Sequence, residues 1–202
     1  MHDITGDRRY LNAAVKNAEW AMSQRNAVGW LAQNCLRDNL QPFTHTIAYA
    51  MRGLLEIGLA SGRNHFVDAA RVIGDAMRAA LPDNGKLPGR FDENWKPRAH
   101  WSCLTGNCQL AINWGRLYQI DGDERYRAAA SRILDFVKTT QSLADDGENA
   151  DTRGGIKGSY PINGHYHPWQ YPNWACKFFA DALMMDEANR GGTPYVISAG
   201  RG

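Results

Sequence analysis

Residues 89–101 read GRFDENWKPRAHW and bring two carboxylates, Asp92 and Glu93, next to Trp95, Arg98, His100 and Trp101. Residues 144–155, ADDGENADTRGG, hold Asp145, Asp146, Glu148 and Asp151. Hydrolysis of a glycosidic bond needs one carboxyl as acid and a second as base or nucleophile, a set distance apart. Asp92, Glu93 and Asp146 are the candidates for such a pair. Elimination or epimerisation of a sugar needs other groups: Tyr or His as base, and Arg or Lys to neutralise a uronate carboxylate. His100 and Tyr166 are candidate bases, and Arg98 and Lys177 candidate cations. The residue types do not choose between these chemistries. A solvated acidic loop accounts for each carboxylate as well, because exposed Asp and Glu are common.

The second concentration of suitable side chains is GGIKGSYPINGHYHPWQYPNWACKFF, residues 154–179. Its glycines and prolines forbid a regular helix over most of its length. Aromatic faces stack on the C–H faces of pyranose rings, and Tyr and His add hydrogen bonds. Tyr160, His165, Tyr166, His167, Trp169, Tyr171 and Trp174 are therefore candidates for binding a sugar, with Trp95 and Trp101 from the earlier segment. The alternative is a loop that packs its own aromatics as a plug over the helices. His165 and His167 form an H-x-H pair, but no third ligand is evident, so no metal is expected. No phosphate loop or dinucleotide fingerprint occurs, and no cofactor is expected.

The elements that must position these residues repeat along the chain. GDRRYLNAA starts at Gly6, GRNHFVDAA at Gly62 and GDERYRAAA at Gly122. Each has Gly, an aromatic four residues on, and an Ala pair at seven and eight. Gly ends one helix in a left-handed conformation, and polar residues open the next. The aromatic and the alanines then share one helical face. Before two of these glycines lie HTIAYAMRGLLEIGLASG and TGNCQLAINWGRLYQIDG, apolar nearly all round, which predicts buried inner helices. YPNWACKFFADALMMDEANRGG is a third of that kind. The helices after the glycines are amphipathic and predict an outer layer. No alternating strand pattern of useful length is present. Long irregular passages, roughly 25–44, 82–103 and 142–171, lead from outer to inner helices and carry most of the Gly, Pro and Trp. Loops of such length in a compact domain are usually functional.

This alternation resembles an α/α toroid, in which inner helices ring an axis and outer helices surround them. The resemblance runs from Gly6 to about Asn189. Toroids of this kind include six-hairpin glycosidases, several polysaccharide lyases and sugar epimerases, and also terpene cyclases and protein prenyltransferases. The 154–179 stretch is similar to toroid proteins of bacterial exopolysaccharide gene clusters. The resemblance implies a ligand site at the mouth formed by the long loops and the adjacent ends of the inner helices. Residues at those ends should face the axis: His45, Thr46 and Tyr49, then Thr105, Asn107 and Gln109, then Asn173, Trp174 and Lys177. Polar groups on helices otherwise so apolar need partners or a wet cavity, which makes Asn107, Asn113 and Lys177 pointers to the site; His45, Asn107 and Lys177 are the binding candidates. The acidic DxDD cluster of protonating terpene cyclases is missing, and no D-x-C pair of the prenyltransferase zinc site occurs.

Two features bound the reading. A net charge of +2, with no run of basic residues, argues against a nucleic-acid partner. No apolar window approaches a membrane helix, and the N-terminus MHDITGDRRY has no signal-peptide core, so a cytoplasmic protein with reduced thiols is expected. The expected fold is all-α: an incomplete toroid of about six helices, three repeats cut at both ends, over residues 1–190 with a flexible tail at 191–202. A complete toroid of this group has ten to fourteen helices, so a homo-oligomer completing the ring is a further expectation. The leading function is a carbohydrate-active protein that binds or modifies an oligosaccharide or polysaccharide. The alternatives are a non-catalytic helical scaffold completed by another subunit and, more weakly, an isoprenoid-handling toroid.

Overall fold

The computed structural model describes residues 1–36, 41–143 and 150–191. Among these residues seven α-helices follow in order: α1 (His2–Thr5), α2 (Arg8–Ser23), α3 (Thr44–Ser61), α4 (Asn64–Ala79), α5 (Leu104–Asp121), α6 (Glu124–Thr139) and α7 (Asn173–Asn189). The fold is all-α, with six long helices as the repeat predicts. A short antiparallel pair, β1 (Ser102–Cys103) with β2 (Ser159–Tyr160), joins two crossings. Two residues per strand are too few for any alternation to show in a sequence.

The repeating glycines do the predicted work. Gly6, Gly62 and Gly122 close α1, α3 and α5 with φ of 68°, 69° and 68°. Asp7 and Asp123 then cap α2 and α6, accepting the backbone N–H of Arg9 and Arg125 at 2.8 and 2.9 Å. Such a cap contributes about 1 kcal/mol. The helix pairs stack so that α3, α5 and α7 form an inner row, while α2, α4 and α6 lie outside it. Central α5 packs on both inner neighbours and on α6. Thirteen of its 18 residues are buried, which is why its sequence shows no polar face. Trp114 of α5 reaches the outer layer, its indole N–H donating to the Gly74 carbonyl of α4 at 3.0 Å.

Repeat aromatics Phe66 and Tyr126 are buried, each at roughly 1.5–3 kcal/mol of apolar transfer. Their counterpart Tyr10 is 45% exposed. The difference is positional: α4 and α6 each lie over two inner helices, whereas α3 is the one inner helix against α2 among the described residues.

The three crossings gather at one end of the bundle and bond to one another. Thr44 N–H and Oγ1–H donate to the carbonyls of Gly89 and Pro88 at 3.0 and 2.8 Å. Arg90 donates to the Gln41 carbonyl at 2.8 Å, and Leu104 N–H to Gly158 at 3.1 Å. Ser102 Oγ–H donates to the Leu87 carbonyl at 2.7 Å. This network holds the loop end of the bundle as one surface.

Candidate functional site

At that end a continuous cluster of rings forms around Tyr166, which is only 2% exposed. His45 lies 5.0 Å from Tyr166 between ring centroids, Phe43 5.5 Å and His167 4.8 Å. Trp174 packs edge-on to His167 at 5.0 Å and donates its indole N–H to Tyr166 Oη at 3.1 Å. Phe43 continues the cluster to Trp101 at 5.9 Å, and Trp101 to His165 at 5.8 Å. His45 also meets Tyr49 at 4.7 Å, and Tyr49 meets Phe178 of α7 at 5.9 Å. The cluster therefore draws on the first two turns of α3 and α7 and on all three crossings.

The positions follow from local structure. His45 is the second residue of α3, and Gln109 is one turn into α5. Their helices cross closely, because Gly106 leaves no side chain between them: a Cβ there would sit 2.6 Å from His45 N. His45 Nδ1 bonds Gln109 Oε1 at 2.8 Å. The amide oxygen can only accept, so Nδ1 carries the proton and Nε2 keeps its lone pair. Burial lowers the His45 pKa, and the nearby His167 adds to this, against the opposing effect of Gln109. His45 is thus a neutral base at pH 7. Burial pushes the Tyr166 hydroxyl up to about 12, which leaves it a proton donor throughout the working range. Burial likewise pushes the Cys103 thiol up to about 12 and makes it a poor nucleophile.

Beside the cluster lies a cavity of about 390 Å³. Phe43, Tyr166, Arg90, His165, His167 and Gln170 are among its walls. No carboxylate lines it among the described residues. The wall offers imidazoles, a guanidinium and amides around aromatic faces, a donor-rich surface suited to hydroxyls and to a carboxylate. His167 Nδ1 is held 2.8 Å from Gln170 Oε1, so this second imidazole is oriented as His45 is. No group of three His, Cys, Asp or Glu that could hold a metal is present among the described residues.

The structure brings His45, Trp101, His165, Tyr166, His167 and Trp174 together, and sorts the remaining candidates elsewhere. Asp92 is 5% exposed and forms a clasp within its own crossing. It accepts the backbone N–H of Asn94 and Lys96 at 3.0 and 2.9 Å and two bonds from Arg98 at 2.8 and 3.0 Å. Burial works against its charge, but these donors outweigh it and hold the carboxyl below the usual range. Glu93 and His100 are exposed on the same crossing. Trp95 turns away from the cavity and donates to the Val28 carbonyl at 2.9 Å. Asn107 is fully buried, and neither side-chain atom has a hydrogen-bond partner. Lys177 pairs with Asp181 at 2.5 Å along α7. Tyr171 packs beside Gly155, with Lys157 5.8 Å above its ring. Trp169 is 71% exposed, at φ 60°. Asp146 lies outside the described residues.

Two members of the site are missing from the sequence reading. Phe43 precedes α3 and touches both Trp101 and Tyr166, and Arg90 stacks on its ring at 4.0 Å. A weak signal exists for Phe43: it stands before an inner helix, as Trp101 and Tyr171 do.

No protein-family model matches the chain, and no curated protein matches its sequence. Solved structures do match. A UGL variant with dGlcA-Glc-Rha-Glc superposes with a TM-score of 0.72 at 18% identity, over 99% of this chain and 58% of that one. D-mannose isomerase gives 0.69 at 13%, over 95% and 52%. Unsaturated glucuronyl hydrolase from Bacillus sp. GL1, described as responsible for glycosaminoglycan degradation, gives 0.66 at 14%, over 92% and 51%. The chain spans about half the length of the structures it matches. It has the α/α-toroid fold of the six-hairpin glycosidase type, as three of that fold's repeats.

Proposed function

We propose that the chain binds and chemically modifies an oligosaccharide or polysaccharide at its loop-lined mouth, by proton transfer. The observation that carries this is His45: a neutral imidazole with Nδ1 committed to Gln109, packed against Tyr166, which lines the cavity of about 390 Å³, and itself on the wall of a neighbouring groove of about 450 Å³. In this reading Nε2 of His45 removes a proton from a sugar carbon or hydroxyl. Tyr166, kept protonated by burial, donates to the oxygen where charge develops. His167 and Arg90 bind hydroxyl or carboxylate oxygens, and Trp174 and Trp101 supply ring faces. Epimerisation and elimination both use this set. The fold's other members, a hydrolase and an isomerase acting on sugars, support a carbohydrate ligand.

Hydrolysis is the second reading, favoured by the likeness to the glucuronyl hydrolase. It assigns acid and base to Glu93 and Asp146, since Asp92 is engaged with Arg98 and the backbone. A scaffold with no ligand is less well supported, because the rings leave the cavity open instead of filling it. A cytoplasmic setting is part of the proposal, and a second copy of the chain is the proposed protein partner.

Titration calorimetry of the full chain against acidic and neutral polysaccharides tests the binding. Proton NMR of any ligand in D2O tests the chemistry: solvent deuterium entering a C–H position supports proton transfer, and cleavage without such exchange supports hydrolysis. Absence of heat with every polysaccharide would sink the sugar reading.

A further inference from the structure

The face of α2 that the repeat marks as buried is open. In α4, Phe66, Ala69 and Ile73 are buried, and Tyr126, Ala129 and Ile133 are buried in α6. At the same distances from the leading glycine, α2 has Tyr10, Ala13 and Asn17, all exposed.

The neighbouring face of α3 tells the same story. Three residues of α5 meet α3: Gly106 at the backbone of His45, Gln109 at its ring, and Asn113, which donates to the Ala48 carbonyl at 2.9 Å. Sixty residues earlier, the distance between Gly62 and Gly122, these positions are Thr46, Tyr49 and Gly53. With Trp20 and Ala21 of α2 they line a groove of about 450 Å³. A Cβ on Gly53 would meet nothing within 4 Å. Both walls of the groove are thus surfaces that, one repeat later, hold an inner helix.

The chain carries a matching surface on α7. Gly115 of α5 receives α7 at Met185. Counted from the closing glycines Gly122 and Gly191, both left-handed, the same position on α7 is Met184. Met184 is 45% exposed, and Ala180, one turn earlier, is exposed too.

We propose that the groove between α2 and α3 receives α7 of a second copy, twice about a two-fold axis, and that this contact completes the mouth. By the repeat, α1, which ends at Gly6 as α3 ends at Gly62, stands for the last turn of that inner helix, so the incoming helix makes contact over its first three turns, as far as Met184. By the same count, the pairing of His45 with Gln109 becomes that of Trp174 of the partner subunit with Tyr49. An aromatic from the partner thereby joins the ring cluster at its open edge. The inference rests on the self-pairing proposed above and on the fold, and is independent of the sugar reading.

Sedimentation of the full chain over a dilution series tests it. The expected mass is twice 22.6 kDa. Gly53→Trp fills the groove from a site with free space around it, so it should leave the circular dichroism and Tm of the fold unchanged and yield a monomer. Met184→Arg should do the same from the other surface. An equimolar mixture of the two variants keeps one of the two contacts intact and should recover dimer. A wild-type monomer throughout the series overturns the proposal. So does a dimer that survives both substitutions, or a monomer whose groove binds an isoprenoid alcohol.

Discussion

His45 Nδ1 and Gln109 Oε1 lie 2.8 Å apart, joining two inner helices whose residues are 64 positions apart in the chain. The bond fixes one tautomer and aims Nε2 away from α5. Gln109→Leu keeps the volume and removes the acceptor. The tautomer preference then relaxes, which the nitrogen-15 shifts of the His45 ring report. Where turnover is found, His45→Asn should reduce it by about 10²–10⁴-fold, the range for loss of a general base. Gln109→Leu should reduce it less, with its main effect in the pH profile.

The His45 pKa is lowered from its ordinary 6.5, chiefly by burial. The folded state therefore binds the His45 proton less readily than the unfolded chain. Its contribution to stability is fully present above pH 6.5 and is lost as the pH falls through the lower folded value. Urea denaturation from pH 7.5 downward should show this loss in wild type and a flatter profile in His45→Asn. A proton NMR titration of His45 with its midpoint above 6.5 would contradict the assignment.

Trp174 is 40% exposed, yet its N–H is fixed on Tyr166. Trp169 is more exposed and makes no ring contact with the cluster. Trp174→Ala should therefore weaken saccharide binding by about 1–3 kcal/mol, on the scale of one buried aromatic side chain, and Trp169→Ala by less. Calorimetry on both variants gives the order. Tyr166→Phe removes the hydroxyl that accepts the Trp174 bond, and with it the proposed proton donor, and should cost roughly 0.5–1.5 kcal/mol of stability in urea.

Asp92 shows where sequence reasoning runs short. The repeat was legible because Gly6, Gly62 and Gly122 each need a left-handed backbone, a demand written in residue type alone. The split into inner and outer layers was legible for the same kind of reason, as α5 is apolar all round and α6 is not. Asp92 next to Glu93 carries the same letters whether it faces a substrate or its own loop. Only burial and the approach of Arg98 decide, and both depend on the folded crossing. Likewise Tyr166, His167 and Trp174 announced themselves by composition, while Phe43 and Arg90 joined them only through a bridge between crossings 47 residues apart. The consequence is measurable. Asp92→Ala should lower stability by about 2–4 kcal/mol, since two backbone N–H groups and a guanidinium lose their acceptor. Asp92→Asn retains acceptors and should cost less. A loss of turnover in Asp92→Asn with unchanged Tm would restore the residue to the catalytic set.

Two glycines of α5 look alike in sequence and differ in what surrounds them. A Cβ on Gly106 would stand 2.6 Å from His45 N and 2.7 Å from Thr44 C, both backbone atoms of a buried turn. Neither atom can yield without moving the start of α3, so Gly106→Ala should cost about 2–3 kcal/mol through overpacking. A Cβ on Gly115 would stand 2.6 Å from Met185 Cγ, part of a flexible side chain. Met185 and Asn189, whose Nδ2 would stand 3.0 Å away, are side chains that yield in part, and Ala in place of Gly favours the helix by roughly 0.5–1 kcal/mol, so Gly115→Ala should cost less than Gly106→Ala. Chemical denaturation ranks the two. The Gly106 variant has a second expected effect that simple destabilisation does not produce. Displacing His45 from Gln109 lengthens their bond, so the His45 ring should lose its single tautomer in the folded protein, while Gly115→Ala leaves it intact.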